Sequence, residues 1–236
     1  MKALIMAAGI GQRISRDIHG QPKCCLEIGG KALIKRTFEQ FFNKGIENIG
    51  IVTGYREKYI LQALEGSSFR RYYNPFFRIT NSIASAWFAR EFLTGDDDLL
   101  IMNGDVFIED GIIDMIINDS RSPLLLADST RIEGADYRFA WDNSMLKRYG
   151  KDLTDSETTG EYVGLAKLDK EYVSLFKLML VDCINAEDYN CWWEDVIYRT
   201  VNQGAAVYIH DVAGSFWAEV DYIEDYLKIQ KYLKSD

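Results

Sequence analysis

Residues 1–28 read MKALIMAAGIGQRISRDIHGQPKCCLEI, an apolar run that leads into a glycine-rich segment. The apolar run predicts a buried strand. Gly9 and Gly11 follow it, and their backbone N–H groups are open to an anion because no side chain stands in the way. Arg13 adds a planar cation and Lys23 a compact one. Together these features predict a cradle for a phosphate chain such as a triphosphate.

Two glycines separated by one residue also occur in ordinary tight turns, so the neighbouring residues are needed to distinguish a phosphate-binding loop from such a turn. A dinucleotide-binding fingerprint would need a small residue where this chain has Ile14. A P-loop would need the pattern G-x-x-x-x-G-K-[ST], which the sequence lacks. Both of these phosphate-binding loops are therefore disfavoured.

Strand-like and helix-like patterns alternate through the first half of the chain. The strand-like segments are 2–9, 47–54, 69–75 and 97–107, and the helix-like segments are 31–45, 55–66 and 81–93. This alternation implies right-handed crossovers. It predicts an α/β fold with a Rossmann-like mixed, mostly parallel sheet flanked by helices. Ligands are expected at the carboxyl ends of its strands.

After Pro123 the strand-like pieces become shorter, and helical patterns appear near 169–182, 188–203 and 222–234. No linker, repeat or low-complexity segment separates the two halves. The sequence therefore predicts a single mixed α/β domain over 1–236, with a nucleotide-binding part at 1–122 and an acceptor-binding part at 123–236.

Composition narrows the classes of partner. The 236 residues carry 36 acidic and 27 basic side chains, a net charge of -9 that disfavours a nucleic-acid surface. No apolar run approaches the roughly 20 residues of a membrane-spanning helix, and a cytoplasmic protein is expected. The four cysteines lack CxxC spacing, so reduced thiols are predicted. With only two histidines, chemistry must depend on carboxylates, lysine, arginine and backbone.

The segments MKALIMAAGIGQRI and QPKCCLEIGGKALI resemble the signature of nucleotidyltransferases that activate sugars or small phosphorylated alcohols. Later segments are similar to the compact cytidylyltransferases of the phosphocholine type: YNPFFRITNSIASAW, NGDVF, GEYVGLAKL, WWEDV and AEVD. The resemblance implies a nucleotide-diphospho-sugar transferase-like fold. The chain departs from the commonest form, which has Leu-Pro-Leu-Thr and Pro-Lys-Ala-Leu-Leu segments, but it keeps the charged positions.

The resemblance also implies roles for individual residues. Lys23 and Arg13 would act in catalysis, by stabilising charge on the phosphoryl oxygens. Asp105 and Asp221 would hold Mg²⁺, which favours carboxylate oxygens. Asp105 also follows a buried run, where a parallel strand ends at the cleft. The alternative for both aspartates is a helix cap.

Nucleotide binding is predicted at the first turn and at two later segments, TGYRE and TNSIAS. The predicted residues are Ala7, Ala8, Gly9, Gly11, Gly54, Tyr55, Asn81 and Ser85. Asn81 is equally suited to capping a helix, and the two roles are compatible.

Acidic and aromatic residues of the second half are the acceptor candidates. The predicted acceptor-binding residues are Glu161, Trp192, Trp193, Glu194 and Asp195. Aromatic faces beside carboxylates suit a quaternary ammonium such as choline. Aromatic residues at helical spacing also belong to cores, and at most one of two adjacent tryptophans can point straight inward.

The sequence thus predicts Mg²⁺-dependent transfer of CMP from CTP to a small phosphorylated acceptor, phosphocholine or a related phosphate or phosphonate, with release of pyrophosphate. The alternatives are a sugar-1-phosphate nucleotidyltransferase and a non-catalytic nucleotide-binding module. A homodimer through the second half is compatible with the sequence. No general base is required, because a phosphate acceptor is already an anion at neutral pH.

Overall fold

A computed structural model describes residues 1–11, 13–14, 18 and 20–234. Gln12 of the first turn and His19 lie outside the described residues. The strands are β1 (Lys2–Ala7), β2 (Glu27–Ile28), β3 (Lys31–Ala32), β4 (Ile49–Thr53), β5 (Arg70–Tyr73), β6 (Leu99–Asn103), β7 (Val106–Ile108), β8 (Leu124–Asp128), β9 (Arg138–Asp142), β10 (Met145–Gly150), β11 (Gly160–Leu168), β12 (Tyr208–Asp211) and β13 (Trp217–Glu219). The helices are α1 (Leu33–Asn43), α2 (Glu57–Ala63), α3 (Ser82–Phe88), α4 (Asp110–Asn118), α5 (Lys170–Asn185), α6 (Asp195–Asn202) and α7 (Ile223–Tyr232).

Within the described residues, nine strands form one mixed sheet in the order β5-β4-β1-β6-β11-β8-β12-β10-β9. The four strands from the first half of the chain pair in parallel, as do β8 and β12. The pairings of β11 with β6 and β8, and of β10 with β12 and β9, are antiparallel. The predicted α/β fold with a mixed sheet between helices is confirmed. Four of the eight neighbouring pairs in this order are parallel, rather than most of them as predicted, because strands of the second half also pair in the antiparallel sense.

Strand β1 is buried on both faces, as expected for a central parallel strand. Leu4 and Met6 join the core beneath α3, α5 and α6. Ala3 and Ile5 face the opposite core, which packs under α1, α2 and α4. Because side chains alternate along a strand, the uniformly apolar sequence of β1 is what a sheet covered on both faces requires.

Three parts of the fold are additional to the sequence-based expectations. They are helix α4, the β2–β3 hairpin, and a separate antiparallel pair formed by β7 and β13. The β7–β13 pair places strand β13 beside β7, which follows shortly after the carboxyl end of β6. The division at 122/123 into two binding parts stays a prediction.

In the portion of the chain that the structure describes, no helix has both the length and the apolar character needed to cross a bilayer.

Candidate active site

The turn after β1 forms the floor of the main cleft. Gly11 has φ +64°, a left-handed conformation that glycine adopts without strain. A Cβ added there would lie 2.6 Å from Cγ of Lys23, so the lysine side chain packs directly against the glycine. A Cβ at Gly9 would meet nothing within 4 Å, which leaves the backbone open to a ligand. The glycine-rich turn and the lysine are therefore one structural unit.

Three carboxylates meet at the carboxyl edge of the sheet. Strand β13 pairs with β7 so that Glu219 lies opposite Val106, and the backbone N–H of Val220 donates to the carbonyl of Asp105 at 2.9 Å. One carboxylate oxygen each from Asp105, Glu219 and Asp221 lies within 4.8 Å of the other two. The sequence analysis identified the two aspartates but not Glu219.

Two cations face this carboxylate cluster. The ammonium of Lys23 donates to Asp221 and lies 3.4 Å from Oδ2 of Asp105. Arg13 donates to Asp221 from the more exposed side. Burial opposes the charge of Lys23, but the two aspartates outweigh it and raise the pKa of the lysine above its usual value. Lys23 is therefore a fixed positive charge at the cleft floor.

Glu219 is partly buried beside the other two carboxylates. Burial, together with the charges of Asp105 and Asp221, raises the pKa of Glu219 well above its usual value. A divalent cation would relieve this crowding of like charges, and three carboxylate oxygens are donors that Mg²⁺ accepts. The donor set therefore fits Mg²⁺.

A cavity of about 570 Å³ opens above the glycine-rich turn. Five predicted nucleotide-binding residues line it: Ala8, Gly9, Gly11, Asn81 and Ser85. Ala7 lines a small adjoining cavity with Lys23 and Asp105. Asn81 also caps α3, since its Oδ1 accepts from the N–H of Ser82 at 2.8 Å. Both roles foreseen for Asn81 are thus structurally available.

Gly54 and Tyr55 do not line the first cavity but contact residues that do. A Cβ at Gly54 would lie 2.7 Å from the carbonyl oxygen of Ala8, so the close approach needs glycine. The backbone N–H of Tyr55 donates to that same carbonyl at 3.0 Å. The Tyr55 ring packs edge-on against Phe77, which lines the cavity. These two residues therefore hold the turn and the opposite wall together.

A second cavity of about 440 Å³ adjoins the first. The two share six lining residues: Gly11, Asn81, Asn103, Trp192, Glu194 and Glu219. Asn103 ends strand β6, two residues before Asp105. Its Nδ2 donates to Oε1 of Glu194 at 2.9 Å, and its Oδ1 accepts from the indole of Trp193 at 2.9 Å. Glu194 is only 5% exposed, and burial raises its pKa to about 8.

The remaining acceptor candidates take different places. Trp192 is partly exposed and lines both cavities. Trp193 is fully buried and supports the wall through Asn103. Asp195 accepts from the backbone N–H of Trp192 at 2.7 Å. Glu161 accepts from the backbone N–H of Asp136 at 2.7 Å and lines a third cavity beyond Asp221.

Several cleft residues were not identified from the sequence. They are Phe77, Arg78, Asn103, Asp136, Tyr137, Lys151, Tyr162, Tyr198 and Glu219. For Glu219 a signal existed, because it lies within the same AEVD segment that contains Asp221. The tyrosines come from separate elements, and no local pattern joins them.

A mixed sheet that carries a glycine-rich turn, two cations and a carboxylate cluster at one edge defines a class of transferases that act on nucleoside triphosphates. The sequence profile of the MobA-like NTP transferase domain matches residues 3–146, and the chain belongs to that family. The protein is a nucleotidyltransferase.

Curated relatives match along the whole chain. Choline-phosphate cytidylyltransferase of Streptococcus pneumoniae is 25% identical over 100% of both chains. CTP:phosphoglutamine cytidylyltransferase of Campylobacter jejuni is 24% identical over 98% of this chain and 99% of that protein. Among solved structures, CTP:phosphocholine cytidylyltransferase from Streptococcus pneumoniae has a TM-score of 0.84 at 20% identity, covering 98% of both chains. The inositol-1-phosphate CTP transferase from T. maritima has a TM-score of 0.77 at 19% identity, covering 99% of this chain and 96% of that one. These two structures share the fold.

Proposed function

We propose that this protein transfers a cytidylyl group from CTP to a small phosphorylated acceptor, releasing pyrophosphate. The observation that carries the proposal is the position of Lys23: its ammonium lies among the carboxylates, and its side chain lines both the second cavity and the small cavity beside the glycine-rich turn. The names of the cytidylyltransferase relatives support CTP as the donor.

In this proposal the first cavity takes the nucleotide. The backbone at Ala8–Gly11 would receive the phosphates, while Asn81 and Ser85 would contact the nucleoside. Gly9 suits this role because nothing lies within 4 Å of the position where its side chain would be. The second cavity would then take the acceptor, with its phosphate towards Lys23 and Arg13.

The proposed reaction joins the two ligands by a single displacement. An oxygen of the acceptor phosphate attacks the α-phosphorus of CTP and forms a new P–O bond, while the bond to the β-phosphate oxygen breaks and pyrophosphate leaves. Lys23 and Arg13 would offset the negative charges that must approach one another. No side chain has to remove a proton, because the attacking phosphate oxygen is already ionised.

Asp105, Asp221 and, in addition, Glu219 would hold Mg²⁺ in this proposal. When bound, the ion would neutralise negative charge on the phosphates. With the ion present, Lys23 would be free to turn from Asp221 towards a phosphate oxygen. The ion pair with Asp221 would thus keep the lysine in place until substrate arrives.

The test measures pyrophosphate release with purified protein, Mg²⁺, each of the four ribonucleoside triphosphates and a panel of acceptors. The panel contains phosphoethanolamine, phosphocholine, 2-aminoethylphosphonate and glucose 1-phosphate. Release with CTP and an amino-alcohol phosphate or phosphonate is expected. Turnover confined to glucose 1-phosphate would replace the proposal with a sugar-1-phosphate activity. CTP binding without release in any mixture would indicate a non-catalytic module.

A further inference from the structure

Two tyrosines that line the second cavity have buried hydroxyl groups with no hydrogen-bond partner among the described residues. They are Tyr162, which is 8% exposed, and Tyr198, which is 1% exposed. A buried hydroxyl that lacks a partner is costly, and most buried polar groups in proteins are paired. Both tyrosines line the space where the acceptor is proposed to bind, so a ligand is the natural partner.

The same cavity wall holds a carboxylate that lacks a cationic partner. Glu194 directly precedes α6, and Tyr198 follows it by four residues, so the two side chains lie on one helix face. Asn103 binds one oxygen of this carboxylate. Within the described residues, no lysine, arginine or histidine nitrogen forms an ion pair with Glu194. At the rim, Lys151 pairs instead with Asp136.

The faces of the aromatic rings are largely occupied by other groups. Tyr137 stacks on Tyr198 with ring centroids 5.5 Å apart, and Tyr149 stacks on Tyr198 at 4.8 Å. The ammonium of Lys151 lies 5.6 Å from the centroid of the Trp192 ring. A quaternary ammonium is recognised through free ring faces, whereas the residues of this wall carry two unpaired hydroxyl groups and a carboxyl group.

We propose that the acceptor carries a hydrogen-bonding ammonium group, –NH₃⁺, at the end opposite its phosphate or phosphonate. The N–H bonds would be donated to Glu194, which would be ionised once the ammonium is bound, and to the hydroxyl oxygens of Tyr162 and Tyr198. A primary ammonium has three donors, which matches these three acceptors. A trimethylammonium has none and would leave both hydroxyls unpaired. This inference rests on the proposed function and specifies its acceptor.

The experiment compares acceptors that differ only by N-methylation: phosphoethanolamine, its N-methyl and N,N-dimethyl derivatives, and phosphocholine. With saturating CTP and Mg²⁺, kcat/KM is expected to fall with each methyl group and to be at least about tenfold lower for phosphocholine than for phosphoethanolamine. Equal or higher kcat/KM with phosphocholine would overturn the inference and leave the cytidylyl-transfer proposal standing. Absence of pyrophosphate release with CTP and every acceptor would instead reject the proposed function.

Calorimetric binding of phosphoethanolamine and phosphocholine gives a readout that does not need turnover. Tighter binding of the primary amine is expected, and equal binding would contradict the inference.

Variants that each lack one tyrosine hydroxyl test which residues set the preference for a primary ammonium. Tyr198→Phe and Tyr162→Phe keep the rings, so the fold is expected to persist, which thermal unfolding checks. Each should lower the preference for phosphoethanolamine over phosphocholine about three- to tenfold, through KM of the acceptor and with KM of CTP unchanged. The matched control is Tyr149→Phe, because that hydroxyl accepts from Asn202 at 2.9 Å and Tyr149 is not among the residues that line the second cavity. An unchanged preference in both Tyr198→Phe and Tyr162→Phe would overturn the assignment.

Discussion

Asn103 donates from Nδ2 to Oε1 of Glu194 at 2.9 Å, and this bond joins the end of strand β6, two residues before Asp105, to the start of helix α6. The other end of the Asn103 amide accepts from the buried indole of Trp193. One side chain therefore sets the spacing between the carboxylate cluster and the wall of the second cavity.

Asn103→Ala should destabilise the protein and weaken acceptor binding. The substitution leaves the Trp193 N–H buried without a partner, and we expect a loss of about 1–3 kcal/mol in the free energy of unfolding. Glu194 also loses its fixed orientation, so KM of the acceptor should rise more than KM of CTP. Urea unfolding and steady-state kinetics measure the two effects. Asn43→Ala, at an exposed position near the end of α1, is the control. Unfolding curves that coincide with the wild type would contradict this role.

Lys23→Ala should lower turnover by at least about tenfold, because the cleft loses its buried positive charge. The variant also leaves Asp105, Glu219 and Asp221 facing one another without that ammonium. We therefore expect its melting temperature to fall in metal-free buffer and to recover more than that of the wild type when Mg²⁺ is added. Thermal unfolding with and without Mg²⁺ makes the measurement. The matched control is Lys31→Ala, which removes an exposed lysine paired with Glu39. Full turnover in Lys23→Ala would reject the assigned role.

Asp105→Ala and Glu219→Gln should each reduce turnover by at least about tenfold and weaken Mg²⁺ binding, since each removes a carboxylate from the proposed metal set. The test is the Mg²⁺ concentration that gives half-maximal activity, together with the shift of melting temperature on adding Mg²⁺. Asp182→Asn changes an exposed carboxylate on α5 and serves as the control. If Glu219→Gln binds Mg²⁺ as the wild type does, Glu219 does not belong to the metal set.

The contrast between these carboxylates shows what the sequence could reveal. Asp105 was predictable because a uniformly apolar run ends just before it, and such runs end at the ligand edge of a parallel sheet. Glu219 and Asp221 reach that edge only through the pairing of β13 with β7, between segments more than a hundred residues apart. No local periodicity encodes that pairing.

The second cavity illustrates the same difference. Glu194 was identified from its neighbours in the motif WWEDV, but Tyr137, Tyr162 and Tyr198 lie in three different parts of the chain. They converge because β9 pairs with β11 and because α6 packs on that part of the sheet. Helix α4 was missed although Ile112, Ile113 and Ile116 form its buried face.

Glu194 should make stability depend on pH. Burial raises its pKa to about 8 in the folded protein, whereas an unfolded glutamate titrates near 4.5. Between these values the folded state holds a proton that the unfolded state has released, so stability is expected to fall as pH rises from about 5 to 8. Glu194→Gln should remove this part of the slope and be more stable than the wild type at pH 8. Urea unfolding at several pH values, without metal or nucleotide, provides the test, with exposed Glu91→Gln as the control. If the free energy of unfolding depends on pH in the same way in the wild type and in Glu194→Gln, the raised pKa of Glu194 is contradicted.

Gly11→Ala should disturb the site through Lys23. Position 11 has φ +64°, a conformation that alanine adopts only with strain. The new methyl would also lie 2.6 Å from Cγ of Lys23, so the lysine side chain must move. Gly66→Ala separates the two effects, because Gly66 has φ +77° and open space around the added methyl. Both variants should lose about 1 kcal/mol of stability from the left-handed backbone. Only Gly11→Ala should also lose turnover, to a level near that of Lys23→Ala. If Gly11→Ala keeps wild-type kcat, the packing of Lys23 against the turn does not set its catalytic position.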